Sequence, residues 1–214
     1  MNTDSSSGVN PPSAAARPAP SQDRSRKTAE SFLAAAYRLL ETKTFEELSI
    51  ADLAQEAGRS VGAFYQRFGS KDEFLTTLLV AYFEAREANT AGILADGTDE
   101  GVIEQVLVDN FASIMRNRNL WHAALRQSAK DPKFWSQFQR FVQRRPEIMG
   151  QRLDAIRGTP MSEPERLRLR IALQVFNSVI NNQMMNNPGP LTLGSPQFLP
   201  TLLKVFRAVY AAAL

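Results

Sequence analysis

The sequence predicts an all-α protein, and three observations predict it. Apolar residues recur at helical spacing from Arg26 onward. No segment shows the strict alternation, or the Asn-Gly and Asp-Gly turns, of a β-hairpin. Serine, aspartate and glycine stand where helices begin and end. With 214 residues, 43% of them hydrophobic, the chain is long enough to bury a sizeable core.

Residues 1–25 hold six serines, four prolines and four alanines, and Met1 and Val9 are their only sizeable apolar side chains. Such a segment cannot offset the entropy of ordering, so it predicts a mobile, solvated arm. Phe32, Leu33, Ala36, Leu39 and Leu40 form the stripe of a first helix ending near 42–44. Ser49 caps a short second helix through Ile50, Leu53 and Ala54, with Asp52 as its capping-box partner, and Gly58 ends it. A third helix follows Ser60. The Ser70-Lys71-Asp72-Glu73 box opens a fourth, with Phe74, Leu75, Leu78, Tyr82 and Phe83 turned inward.

Thr98 precedes a helix carrying Val102, Ile103, Val106, Leu107, Phe111 and Ile114, and Asn119 is placed to cap a shorter one. Asp131-Pro132 starts a long helix that Pro146 kinks and Gly158 closes. Ser162-Glu163-Pro164-Glu165 caps the next, which runs to the Asn186-Asn187-Pro188-Gly189-Pro190 stop, and Ser195-Pro196 starts the last. The expectation is about nine helices without an internal repeat.

Composition narrows the chemistry. Zero cysteines exclude a disulfide framework, a thiol nucleophile and sulfur-ligated metals, and the single histidine, His122, leaves no partner for a metal or catalytic pair. The expectation is therefore a non-enzyme with no metal and no cofactor. Lys and Arg total 25 against 22 Asp and Glu, an excess too small to identify a partner. No stretch reaches the roughly 20 apolar residues of a membrane span and no secretory signal is evident, so a cytoplasmic location is expected.

One constellation carries a function. Residues 49–68 fit a helix-turn-helix, the unit whose second helix enters the DNA major groove. Ala54 is small enough for two helices to cross closely. Gly58 falls at the turn, where a positive φ suits glycine. Phe64 and Phe68 anchor the second helix, leaving Ser60, Val61, Ala63, Tyr65, Gln66 and Arg67 for the outside.

The run Ala57-Gly58-Arg59-Ser60-Val61-Gly62-Ala63-Phe64-Tyr65-Gln66-Arg67-Phe68, followed by Ser70-Lys71 and Phe74-Leu75, resembles the DNA-binding domain of TetR-family transcriptional regulators over about Arg26 to Arg86. The resemblance implies a helix-turn-helix DNA-binding domain over 26–86 and a C-terminal effector-binding and dimerisation domain over 87–214. It implies a homodimer that reads a palindromic operator in double-stranded DNA and is released by a small-molecule effector. Carried over by position, it assigns Ser60, Val61, Ala63, Tyr65 and Gln66 to the DNA-facing surface. Tyr65, Lys71 and Ser49 become phosphate contacts, and Arg26, Arg59 and Arg67 further candidates.

The chain departs from the family pattern at Thr44, where glycine is usual, and at Leu48, where a phosphate-binding threonine is usual.

In the C-terminal part, Gln174, Asn177 and Asn181 share one helix face at i, i+3 and i+7 between apolar neighbours. With Phe111, Trp121, His122 and Phe138 they are the candidate lining of an effector pocket. The last two helices are apolar on more than one side. Ile171, Val175, Val179, Leu199, Leu202, Phe206 and Tyr210 are accordingly the candidate dimer face, two helices from each chain meeting as a four-helix bundle. The resulting expectation is a ligand-released repressor; an effector-independent DNA-binding or architectural protein of the same fold is the alternative.

Overall fold

The computed structural model describes residues 20–212, with side chains described from residue 24. The described residues are helical throughout, without a strand: α1 (Pro20–Leu39), α2 (Ile50–Ala57), α3 (Val61–Phe68), α4 (Lys71–Asp96), α5 (Val102–Arg116), α6 (Arg118–Lys130), α7 (Gln139–Arg157), α8 (Glu163–Asn186) and α9 (Phe198–Ala211). A short 3-10 helix, Phe134–Phe138, precedes α7.

The first helix begins six residues earlier than expected. Pro20 occupies its opening position, where a missing N–H costs nothing. The Thr28 hydroxyl donates to the Arg24 carbonyl, and Arg26 pairs with Glu30 at 3.0 Å, so polar residues 24–30 sustain a helix that hydrophobic periodicity alone does not announce. The remainder of the expected arm, 1–19, lies outside the described residues.

The caps of α2, α3 and α8 are those the sequence names. Ser49 and Asp52 make both halves of a capping box, as do Ser162 and Glu165. Ser60 accepts from the Ala63 amide. At α4 only half of the expected box forms: Ser70 accepts from the Glu73 amide.

Four later helix starts differ from expectation. The N-cap position of α5 is Gly101 rather than Thr98, and Asp99, two residues earlier, accepts from the Gly101 amide. Asn119 lies inside α6, where its side-chain amide donates to the Leu40 carbonyl at 2.8 Å and ties α6 to the end of α1. Asp131 accepts from the Lys133 amide and turns the chain into the 3-10 segment, delaying α7 to Gln139. Ser195 likewise leads into a turn, and α9 starts at Phe198.

Two packed cores share Trp121 at their boundary. The first joins α1–α4 to α6, the 3-10 segment and Phe141 of α7. The second joins α5, α7, α8, α9 and the end of α4. Helix α4 runs unbroken through residue 86, so the N-terminal unit is continuous in packing with the C-terminal helices. No described helix is long and apolar enough to cross a membrane.

Gly58 has φ +62° and ψ +39°, and a Cβ built there meets nothing within 4 Å. Its substitution penalty is therefore backbone strain alone. Gly58→Ala should lower stability by about 1–2 kcal/mol, measured by urea unfolding. Gly58→Val should cost more, because a β-branched side chain tolerates this region worst. Equal stability of all three proteins would contradict the left-handed turn.

Candidate nucleic-acid interface and ligand cavity

Helix α3 is held as a lever on an aromatic base. Phe64 packs edge-on against Phe32, with centroids 5.4 Å apart, and against Phe74 at 5.2 Å, while Phe68 lies 4.7 Å from Phe74. Phe64 is wholly buried and Ala54 nearly so, which lets α2 and α3 meet closely across the Gly58-Arg59-Ser60 turn. Two positive-φ glycines bracket the element, Gly58 before it and Gly69, at φ +73°, after it.

This support leaves a convex strip outside. Ser49, Arg59, Ser60, Val61, Tyr65, Gln66 and Arg67 are all exposed, Tyr65 at 51% and Val61 at 42%. Ala63 is half-buried and packs against the aromatic core, so it offers little surface. Arg59 donates to the Ser31 hydroxyl at 3.2 Å, and the Arg67 guanidinium lies over the Phe68 ring. Arg26 is exposed on α1.

Two assigned phosphate contacts are modified by their surroundings. The Lys71 ammonium donates to the Glu46 carbonyl at 3.2 Å and lies over the Phe45 ring at 4.9 Å. Burial, the largest influence on it, lowers its pKa. Its charge is thus committed within the domain. Ser49 shares the start of α2 with Asp52, whose carboxylate accepts from the Ser49 amide and sits 3.6 Å from Lys43. Those Ser49 hydrogen bonds hold Asp52 below the usual carboxylate range, keeping a negative charge at this helix N-terminus.

The two departures have physical accounts. No described non-glycine residue except Asn187 has a positive φ, so position 44 has no need of glycine. Thr44 instead donates its amide and hydroxyl to Glu47, and Leu48 is buried in the core.

A cavity of about 580 Å³ opens between α4, α5, α6, α7 and α8. Four of the seven expected lining residues are on its wall: Trp121, Gln174, Asn177 and Asn181. Phe138 is not, being fully buried against Phe83 and Phe134. Phe111 stacks on Phe198, 5.7 Å away on the far side of α5, and His122 lies off the wall, half-buried.

Sequence reasoning missed Tyr82, Trp135, Phe141 and Arg145, which do line it. A signal existed for Arg145: it stands four residues from both Phe141 and Met149, on the inward face of α7. The basic run Arg144-Arg145 masks that.

The wall is ordered by a relay of amides. Arg145 donates to Asn110 Oδ1 at 3.0 Å, Asn110 Nδ2 donates to Asn177 Oδ1 at 3.3 Å, and Asn177 Nδ2 donates to the Leu173 carbonyl. Trp121 Nε1 donates to Asn181 Oδ1 at 2.8 Å.

Helix α8 has three functional faces. Leu169, Ala172, Leu173, Phe176 and Ile180 enter the core, the amide face meets the cavity, and Leu167, Ile171, Val175 and Val179 remain outside or half-outside. On α9, Leu202 and Phe206 are each only 3% exposed and pack within their own chain, so they are unavailable as a dimer face. Leu199 and Tyr210 are half-buried against the same core, Tyr210 accepting from Arg157. The turn into α9 rotates the apolar stripe inward and leaves Thr201, Val205 and Ala208 outside.

Comparison with known proteins agrees with this geometry. Residues 32–78, from α1 into α4, match the family described as bacterial regulatory proteins, tetR family. The chain is 33% identical over 103 residues to YwcC of Bacillus subtilis, an uncharacterized HTH-type transcriptional regulator, the match covering 48% of this chain and 42% of that protein. It is 31% identical over 110 residues to the HTH-type transcriptional regulator EthR of Mycolicibacterium smegmatis, covering 49% and 51%. The matched part spans about half the length of these curated relatives.

A TetR transcription regulator from Haloarcula marismortui has the same fold, with a TM-score of 0.65 at 18% identity over 86% of this chain and 97% of that one. Both sequence relatives are described as regulators, and none of these descriptions is that of an enzyme. The aromatic-braced helix-turn-helix of this chain, residues 32–78, is thus similar to the corresponding segment of the tetR family of bacterial regulatory proteins.

Proposed function

We propose that this chain is a cytoplasmic, homodimeric transcriptional repressor that binds a palindromic operator through α3 and leaves it when a small effector fills the cavity. The observation that carries the reading is the course of α4. This helix of 26 residues, about 39 Å long, starts directly after the recognition helix and places Tyr82 and Phe83 in the cavity wall. Phe74 and Leu75 of the same helix belong to the core that braces α3. A ligand displacing Tyr82 and Phe83 therefore moves the platform under α3 and alters the spacing of two recognition helices, which must fit half-sites about one DNA turn apart.

An unfilled cavity of this size supports the effector-responsive reading over an effector-independent one, for which a filled core is expected. The proposed units are 26–86 for DNA binding and 87–214 for effector and dimer contacts. Exposed Arg59, Ser60, Tyr65, Gln66 and Arg67 contribute most of the DNA contacts.

Selection of bound fragments from a genomic library tests the reading, and it predicts recovery of an inverted repeat. Removing only the exposed Tyr65 hydroxyl, in Tyr65→Phe, should weaken operator binding by about 1 kcal/mol, or roughly fivefold, with unchanged thermal stability. Wild-type affinity at moderate salt would remove Tyr65 from the interface.

A further inference from the structure

The charge distribution around the cavity is lopsided in a way that the effector reading leaves unexplained. Arg86 is buried and pairs with Asp109 at 2.5 Å, and Asn89 donates to the same carboxylate oxygen at 2.7 Å. Arg145, on the cavity wall beside them, has no carboxylate within ion-pair distance among the described residues; its hydrogen bond goes to the neutral Asn110 amide. Asp109 is thus already engaged by Arg86, and the other acid that acts on Arg145, Glu87, pairs with Arg144 at 3.6 Å.

The other walls do not restore neutrality. Arg166 is neutralised by Asp154, whereas Arg170 at the mouth has no ion pair among the described residues. Glu147 is the one acid on the wall, and its exposed side chain faces Arg144 at 3.8 Å. The amides add donors: Trp121 occupies Asn181 Oδ1, which leaves Asn181 Nδ2 to offer. Burial first, then the charge of Arg86, pull the Arg145 pKa down. A guanidinium nonetheless stays protonated, so its charge is held in place at a cost that an anion would relieve. The same cavity has an aromatic wall, with Trp121 and Phe83 at 5.9 Å and Phe83 stacked on Phe141 at 5.3 Å.

We propose that the cavity takes an organic anion, an aromatic or fused-ring body bearing one carboxylate or sulfonate, with its charged group at Arg145 and its rings against the wall made by Trp121, Phe83 and Phe141. The proposal rests on the effector reading above and specifies the ligand's chemistry.

The test uses the full chain and two fluorescent probes of one shape: anilinonaphthalene sulfonate and its uncharged counterpart, N-phenyl-naphthylamine. The sulfonate should bind at least about tenfold tighter than the neutral probe, as expected for charge-assisted hydrogen bonds to a half-buried guanidinium. Arg145→Gln should remove that advantage, lowering sulfonate affinity by about tenfold and leaving the neutral probe unchanged, and Arg145→Lys should keep part of it. Since the wild-type comparison alone reads the preference, poor folding of a variant does not decide the outcome. Equal binding of both probes by the wild-type chain, or equal weakening of both by an Arg145→Gln variant of wild-type thermal stability, would overturn the anion assignment while leaving a ligand cavity. Binding of neither probe by the folded protein would overturn the cavity reading and this inference with it.

Discussion

Phe64→Ala is expected to unfold the N-terminal helix-turn-helix and abolish operator binding. Phe64 has no exposed surface and touches four aromatic rings at once, Phe32, Tyr65, Phe68 and Phe74, with centroids 5.1–5.8 Å away. Truncating a buried phenylalanine costs about 3–5 kcal/mol in transfer and cavity terms, against a typical total of about 5–15 kcal/mol for a domain. The cavity would open beneath α3, an element of eight residues that cannot hold a helix by itself. Urea unfolding by near-UV dichroism, paired with gel-shift titration, reads both effects. Operator binding at the wild-type level in this variant would show that α3 does not depend on the aromatic base.

Val179→Glu combined with Val205→Glu should give a folded monomer whose operator affinity falls by about 10²–10⁴-fold, because each half-site then binds without its tethered partner. Each valine is 39% exposed, one on the outer face of α8 and the other on that of α9, so neither charge is forced into the chain's own core. On a monomer this apolar strip faces water, which is the reason to place the partner chain there. Leu202→Glu, by contrast, buries an unpaired carboxylate and should destabilise each protomer by several kcal/mol whatever the oligomeric state. Sedimentation velocity separates the two outcomes. A well-folded dimer of the double variant would move the interface off α8 and α9.

The sequence made the helix-turn-helix legible because its signals are local. Ser49 with Asp52, Gly58, and Ser60 act over three or four residues, and the structure realises each. The rings of Phe64 and Phe68 sit at i and i+4 and could be assigned inward from spacing alone. Lys71 was legible as a position and illegible as an environment. Its partners, Phe45 and Glu46, come from the turn before α2, some 25 residues away in the chain.

In the C-terminal half the amide face of α8 was readable at Gln174, Asn177 and Asn181, since one helix supplies all three. What those amides meet was readable only in part, Trp121 being among the expected lining. Asn110, Arg145 and Trp121 arrive from α5, α7 and α6, and only packing brings them together. The inward stripe of α9 reads equally well as core or as interface, because burial by one's own chain and burial by a second chain select the same apolar residues.

The sequence by itself thus determined the helical class, the starts of α2, α3, α4 and α8 and the helix-turn-helix, all of which rest on interactions a few residues long: periodicity, caps and a left-handed glycine. Only the tertiary structure decided that Leu202 and Phe206 are core, that Phe138 and His122 are off the cavity wall, and that Arg145 stands on it without a carboxylate partner. Those outcomes depend on how helices far apart in the chain rotate and cross, and periodicity fixes which residues share a face but not which neighbour that face will meet.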